Sequence, residues 1–290
     1  MKYIVKERNS CEEKIIESNN TLNFFYDNFL GRIFIKILIT PFISKMIGKY
    51  MNSKLSLKRI NKFVKENNIN MNDYINNDYK SYNDFFTRKI KDSKRPIYSN
   101  KEYLISPCDS KLTAYIINDD LTLKIKDSYY SINSLVDENI MEEYKGGYAL
   151  VFRLSTDDYH RYCYIDSGTK DMNHYIKGIF HTVQPISLKH YNFFKTNSRE
   201  WTTLNTNNFG KVIQVEIGAL GVGRIVNHHN EYEFKRGEEK GYFEFGGSTI
   251  CLLFKKDTID LDKDIIDNSN NNIETIVKYG EKIGNKKILS

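Results

Sequence analysis

Proline is scarce in this chain, with four in 290 residues beside 16 glycines and a single tryptophan. So little punctuation leaves no proline- or glycine-rich linker between independent domains, and it excludes a proline-rich disordered chain. No run of about 18 uncharged apolar residues occurs, and mean hydropathy is −0.55, which excludes a multi-span membrane protein. The four cysteines, Cys11, Cys108, Cys163 and Cys251, form no Cys-x-x-Cys pair. Neither a zinc site nor a disulfide framework is indicated, and a reducing compartment is expected. The N-terminus, MKYIVKERNSCEEK, meets charge too early to hold the apolar core of a signal peptide. No metal-ligand cluster is visible, and His228-His229 reads as a solvated turn.

Carboxylates are missing from one stretch altogether. Between Asn28 and Lys65 there are nine cations and no Asp or Glu. Residues 1–60 hold 11 Lys and Arg against 5 Asp and Glu, and the rest of the chain is balanced at 32 of each. The formal charge of +6 therefore sits at one end. That end is also greasy: Phe29, Leu30, Ile33, Phe34, Ile37 and Leu38 recur at helical spacing, and after Pro41 the pattern resumes with Phe42, Met46 and Tyr50. A basic amphipathic helix pair resting on an anionic membrane is expected. The plainer alternative is a helical hairpin packed on the core with its lysines solvated. Nucleic acid is not expected as a partner, because the basic part is confined and apolar rather than spread among exposed aromatics.

From about residue 53 to 95 the chain reads helical, with KRINKFVKEN and NDFFTRKIKDSKRP as candidate helices, the second ended by Pro96. After residue 103 the texture changes to short alternating or apolar runs such as KLTAYII, LTLKIK, GYALVFRL, KVIQVEIGALGVGRIV and STICLLFKK. The Asn-rich DNSNNNIETIV reads as a surface turn before a last element. The fold class expected is α+β, with a helical, basic, membrane-associating segment over 1–100 and a β-rich catalytic core over 101–290.

Three features of that core carry chemistry. SPCDS places Asp109 after a strand-like YLI, STDDYHRYCYIDSG holds His160 among acids and aromatics, and FEFGGSTICLLF has a Gly-Gly-Ser-Thr turn entering an apolar strand. Each alone has a bland reading as a local cap, a structural histidine or a bulge. Together Asp109, His160 and Ser248 supply an orienting acid, a base and a hydroxyl nucleophile. The turn is not the G-x-S-x-G elbow, since it precedes a strand rather than a helix, so a conventional serine hydrolase is disfavoured.

GGST before an apolar strand, YHR upstream, SPCDS further upstream, FFTRKIK…RPI before it and IGALGVGRI between resemble the phosphatidylserine decarboxylase proenzymes, with weaker agreement in GEKIG near the end. Composition points to their clostridial-like branch. The resemblance implies self-cleavage between Gly247 and Ser248 into a β chain, 1–247, and an α chain, 248–290. Ser248 would attack the carbonyl of Gly247, with Asp109 and His160 activating its hydroxyl, and would end as a covalent pyruvoyl group. That cofactor would form a Schiff base with the amine of phosphatidylserine and accept electrons as carbon dioxide leaves, giving phosphatidylethanolamine. The implied partners are phosphatidylserine in an anionic membrane and the two chains of one precursor, and a homodimer is compatible with this picture. The implied location is peripheral, on the cytoplasmic side of the cell membrane.

One position departs from the pattern. The family motif YHRxH carries two histidines, whereas this chain reads YHRYC, with His160 at the first place and Cys163 at the second. Either His160 serves both self-cleavage and turnover in sequence, or another histidine such as His181 in GIFHTVQP takes one duty, or the protein is a processing-defective, lipid-binding relative. A pyruvoyl decarboxylase of a soluble amino acid is a further alternative, disfavoured by the greasy N-terminus. The ordinary fate of a lone Cys163 is as a small buried hydrophobe.

Overall fold

The computed structural model describes residues 2–8, 10, 12–17, 20–75, 78–125, 128–136, 139–184, 186, 193–221 and 224–288. Cys11, and Val222 and Gly223 of the IGALGVGRI motif, lie outside the described residues. The chain opens on a β-hairpin, β1 (Lys2–Glu7) and β2 (Glu13–Glu17), where a helical segment was expected. KYIVKE carries an apolar Tyr-Ile-Val run between charges, with Val5 wholly buried and Tyr3, Ile4 and Lys6 partly exposed, as suits a short strand. Helices α1 (Asn20–Asp27), α2 (Phe29–Leu38), α3 (Pro41–Met51), α4 (Ile60–Glu66) and α5 (Tyr82–Phe86) follow.

The boundary between α1 and α2 is set by Asn28, whose side chain accepts from the backbone N–H groups of Leu30 and Gly31. Gly31 lets the two helices touch, because a Cβ there would lie 1.9 Å from the carbonyl oxygen of Phe24. Tyr26, Ile35 and Ile39 are the buried stripe of this hairpin, packed with Ile186. The predicted apolar stripe faces the other way: Phe29, Leu30, Ile33, Phe34, Ile37 and Phe42 are exposed. So many large apolar side chains in water on adjoining helices are unusual for a monomer surface.

Helix α5 is shorter than the sequence suggests. Ser81 caps it by accepting from the Asp84 N–H, but it ends at Phe86, and Ile90 instead forms a bridge with Tyr74. The strands that follow are β3 (Tyr103–Ile105), β4 (Ser110–Ile116), β5 (Thr122–Ile125), β6 (Ser128–Ser131), β7 (Tyr148–Leu154) and β8 (Arg161–Cys163). Next come β9 (Gly168–Lys170), β10 (His174–Ile176), β11 (Arg199–Thr206), β12 (Gly210–Gly221), β13 (Ile225–Asn227) and β14 (Tyr232–Phe234). The last are β15 (Glu239–Phe243), β16 (Gly246–Phe254), β17 (Ile259–Leu261), β18 (Ile273–Val277) and β19 (Lys282–Lys286). The Asn-rich tail is helical over Lys263–Asn270 before entering β18.

Among the described residues an eleven-stranded sheet runs β14-β9-β11-β12-β16-β7-β4-β18-β1-β2, with β10 beside β11. Its pairs are antiparallel except β1 with β18. Strand β16 lies near its centre, and its Ile250, Cys251, Leu252 and Leu253 are wholly buried. Both faces are covered, which explains a continuous apolar run rather than an alternating one. One face carries Leu150, Phe152, Leu154, Ile250 and Leu252, closed by the β13-β15-β8 sheet residues Tyr162, Cys163 and Phe243. The opposite face carries Ala149, Val151, Ile213, Val215 and Ile217.

Candidate active site

The Gly-Gly-Ser segment, expected as a turn, is instead the opening of strand β16, entered from a bend at Phe245. Ser248 pairs with Leu154 of β7 on one side and Gly218 of β12 on the other. Moving back from Ser248 to Gly246, the partner strand advances from Gly218 to Gly221, so a β-bulge stands opposite Gly247. A bulge leaves a residue out of the ladder and bends the strand. The Gly247–Ser248 peptide therefore sits where regular pairing is interrupted. Gly246 has φ of 142°, a conformation open to glycine and strained for other residues. Val183 closes over Gly247, where a Cβ would come within 3.3 Å of its Cγ2.

Side chains far apart in sequence hold this bend. Asn83 of α5 accepts from the Phe245 N–H at 2.9 Å, and Phe245 packs edge-on against Tyr82 and Phe86. On the far shoulder of the bulge, the buried Asn197 amide donates to the carbonyls of Gly218 and His181, each at 2.8 Å, and accepts from the His181 N–H. Neither asparagine carries a motif, and only the fold brings them here.

His160 lies at the same end of the sheet. A turn over residues 155–158 follows Leu154, the cross-strand partner of Ser248, and leads into it. The ring packs on Phe86, with centroids 4.3 Å apart, and that phenylalanine also packs on Phe245. Its Nδ1 meets the carbonyl oxygen of Asp158 at 2.9 Å. Its Nε2 is buried without a hydrogen-bond partner, and so are the Oγ of Ser248 and the Oγ1 of Thr249. Three unpaired polar atoms at one strand end are unusual, because a buried polar atom without a partner costs roughly 1–3 kcal/mol. Such atoms suit a place where a reaction supplies the missing partners.

Asp109, expected in a triad, makes its contacts elsewhere. Its carboxylate takes a two-pronged contact from Arg95, at 2.8 and 2.5 Å, and accepts from the Tyr279 N–H at 2.9 Å. Among the described residues no hydrogen bond joins Asp109 to His160. The guanidinium fork outcompetes an imidazole for the carboxylate, and the carbonyl of Asp158 occupies Nδ1 instead. Cys163 is fully buried, and burial pushes its thiol up to about 12, so it holds its proton and packs as a hydrophobe. His181 is also buried. Its Nδ1 lies 3.3 Å from the hydroxyl of Tyr26 in α1, which accepts from the Thr182 N–H as well. Beside the turn before His160 a cavity of about 680 Å³ is lined by Lys111, Ser155, Asp157, Asp158, Gln184 and Lys278.

Burial lowers the basicity of His160 to about 3 and that of His181 to about 4. Both rings are thus neutral at pH 7 and available as bases. In the unfolded chain they protonate near 6.5. The unfolded state therefore binds more protons between about pH 6.5 and pH 3–4, and stability falls as pH drops through that window. For His160 alone the loss at pH 5 is about 2 kcal/mol. Urea unfolding between pH 7.5 and 5 should show it, and His160→Gln should flatten the slope. An unchanged slope in that variant would place the acid sensitivity elsewhere.

A family model described as phosphatidylserine decarboxylase matches residues 82–285. Among curated proteins, "Phosphatidylserine decarboxylase proenzyme 2" of Clostridium acetobutylicum is 50% identical over 268 residues, covering 92% of each chain. The proenzyme of Clostridium perfringens is 42% identical over 273 residues, 91% of this chain and 92% of that one. The proenzyme of Clostridium tetani is 41% identical over 296 residues, 99% of this chain and 98% of that one.

Proposed function

The chain belongs to the phosphatidylserine decarboxylase family, and we propose from its site that it is a proenzyme that cuts itself between Gly247 and Ser248 and then converts phosphatidylserine to phosphatidylethanolamine. The observation that carries the reading is a pair of buried, unpartnered atoms, Ser248 Oγ at a β-bulge and His160 Nε2, whose ring packs on Phe86 against Phe245 of the same strand end.

The chemistry of the cut follows from those residues. His160 is neutral and takes the Ser248 hydroxyl proton at Nε2. The oxygen attacks the Gly247 carbonyl carbon, and the C–N bond breaks as the amine of Ser248 takes up a proton, leaving an ester. Loss of the Cα proton then expels the Gly247 carboxylate, which ends the β chain 1–247. The dehydroalanine left on 248 isomerises to an imine, and water replaces its nitrogen, released as ammonia, to give a pyruvoyl group. The buried, unpartnered Nε2 of His160 at this end of the sheet fits that group as a place to hold a proton. When present, the group supplies a ketone that serves as the electron sink for decarboxylation of an amine-bearing substrate. His160 then holds or returns the proton, while the interior around Phe86 and Phe245 excludes water. Asp109 serves this reading as an anchor rather than an acid, because it binds Arg95 of the larger chain and the Tyr279 N–H of the smaller.

Substrate in a bilayer gives the exposed face of α1–α3 its use. No helix among the described residues is long and apolar enough to cross a membrane. Phe29, Phe34 and Phe42 instead enter the interface, with Arg32, Lys36, Lys45 and Lys49 near anionic headgroups. The enzyme then works as a peripheral protein on the cytoplasmic side.

Intact-mass spectrometry of freshly purified protein tests the reading. Two chains divided after Gly247 are expected, the smaller carrying the mass of an N-terminal pyruvoyl. One undivided chain of 34.1 kDa would overturn self-processing.

A further inference from the structure

We infer that the buried ion pair of Lys111 and Asp158 is the positioning device for the base, holding the turn whose carbonyl sets the tautomer of His160. This rests on the self-cleavage reading, in which His160 Nε2 receives the serine proton. Lys111 Nζ lies 2.6 Å from Asp158 Oδ2, and both side chains are almost wholly buried. The same oxygen accepts from the Ser155 N–H at 2.7 Å, while the Asp158 N–H donates to the Ser155 carbonyl at 3.0 Å. One carboxylate therefore closes the turn and fastens it to β4. Arg153, opposite Lys111 in the β4–β7 register, braces the turn again through Ser155 Oγ at 3.1 Å and is itself paired with Glu274.

The Asp158 carbonyl is left aimed at His160 Nδ1. A carbonyl oxygen can only accept, so Nδ1 carries the proton and Nε2 presents its lone pair. Around the ring, Phe86 covers a face, and Arg88, Asp157 and Lys111 are the charged groups that act on it. Asp109, committed to Arg95 and Tyr279, does not perform this duty. Buried ion pairs contribute little net stability compared with apolar replacements. A pair that fixes the geometry of a base accounts better for its place at this turn.

The test uses the full chain and follows first-order loss of the intact species by mass spectrometry. Lys111→Met should slow self-cleavage by about 10–100-fold, and Lys111→Arg should recover most of the rate. Lys111→Met combined with Asp158→Asn leaves no orphaned charge, keeps an acceptor for Ser155, and should remain as slow. If Lys111→Met alone fails to fold, the double variant decides. In Ser248→Ala chains, ring ¹⁵N shifts should report one Nδ1–H tautomer with the pair intact and a mixture in Lys111→Met. A double variant cleaving at the wild-type rate, or an unchanged single tautomer in Lys111→Met, would overturn the inference. If the wild-type chain does not cleave, the processing reading falls while the ring spectra still judge the pair.

Discussion

Ser248→Ala should leave the chain whole, as one species near 34.1 kDa, with no decarboxylase activity at any substrate concentration. On the proposed reading the hydroxyl is both the nucleophile of the cut and the precursor of the catalytic ketone, so no other group can make up its loss. A fall of at least about 10³-fold in the rate of cleavage is expected. The variant should fold as well as the parent. Ser248 Oγ is buried and makes no hydrogen bond, so its removal breaks none and relieves an unsatisfied polar atom. Mass spectrometry and thermal melting on the same sample separate the two effects. A divided Ser248→Ala chain would remove this residue from the chemistry.

The triple change Phe29→Ser, Phe34→Ser and Phe42→Ser should release the protein from vesicles containing phosphatidylserine. These rings are 69%, 56% and 70% exposed and lie on adjoining helices. Transferring a large apolar side chain out of water is worth about 1.5–3 kcal/mol when complete. At these exposures the three together supply roughly 3–6 kcal/mol, or about 10²–10⁴-fold in partitioning. Since none is in the core, the melting temperature should change little. Sedimentation with vesicles reads the loss, and raised salt should weaken the parent's binding in part, through the lysines. Binding unchanged by the triple substitution would mean that another surface meets the lipid.

Much of the catalytic half could be read from the chain. GYALVFRL and STICLLFKK are long, apolar and β-branched or aromatic, and they are the adjacent strands β7 and β16 at the heart of the sheet. Ser248 stands near the start of β16, opposite Leu154 at the end of β7, and the turn after Leu154 leads to His160. The role of Asp109 was not legible, because its partner, Arg95, belongs to a segment that reads as the end of a helix. The first strand was hidden for a related reason. KYIVKE is flanked by charge and precedes helices, and its pairing partner, Ile273–Val277, lies at the other end of the chain. Asp158 and Lys111 were equally hidden. They are 47 residues apart, and only the β4–β7 register brings them together.

That last strand pairing has a bearing on the mature enzyme. Residues 248–290 supply β16, held between β12 and β7, and β18, held between β4 and β1, while Arg8 grips Asp262 and Asp264 from the opposite end of the chain. The proposed cut after Gly247 would thus free a terminus without freeing a subunit. The smaller piece cannot leave without dismantling the sheet in two places, so it is not traded between molecules. Each cleaved enzyme would then keep for life the partner with which it was synthesised, in fixed one-to-one proportion, and a defective copy could not be rescued by exchange with its neighbours.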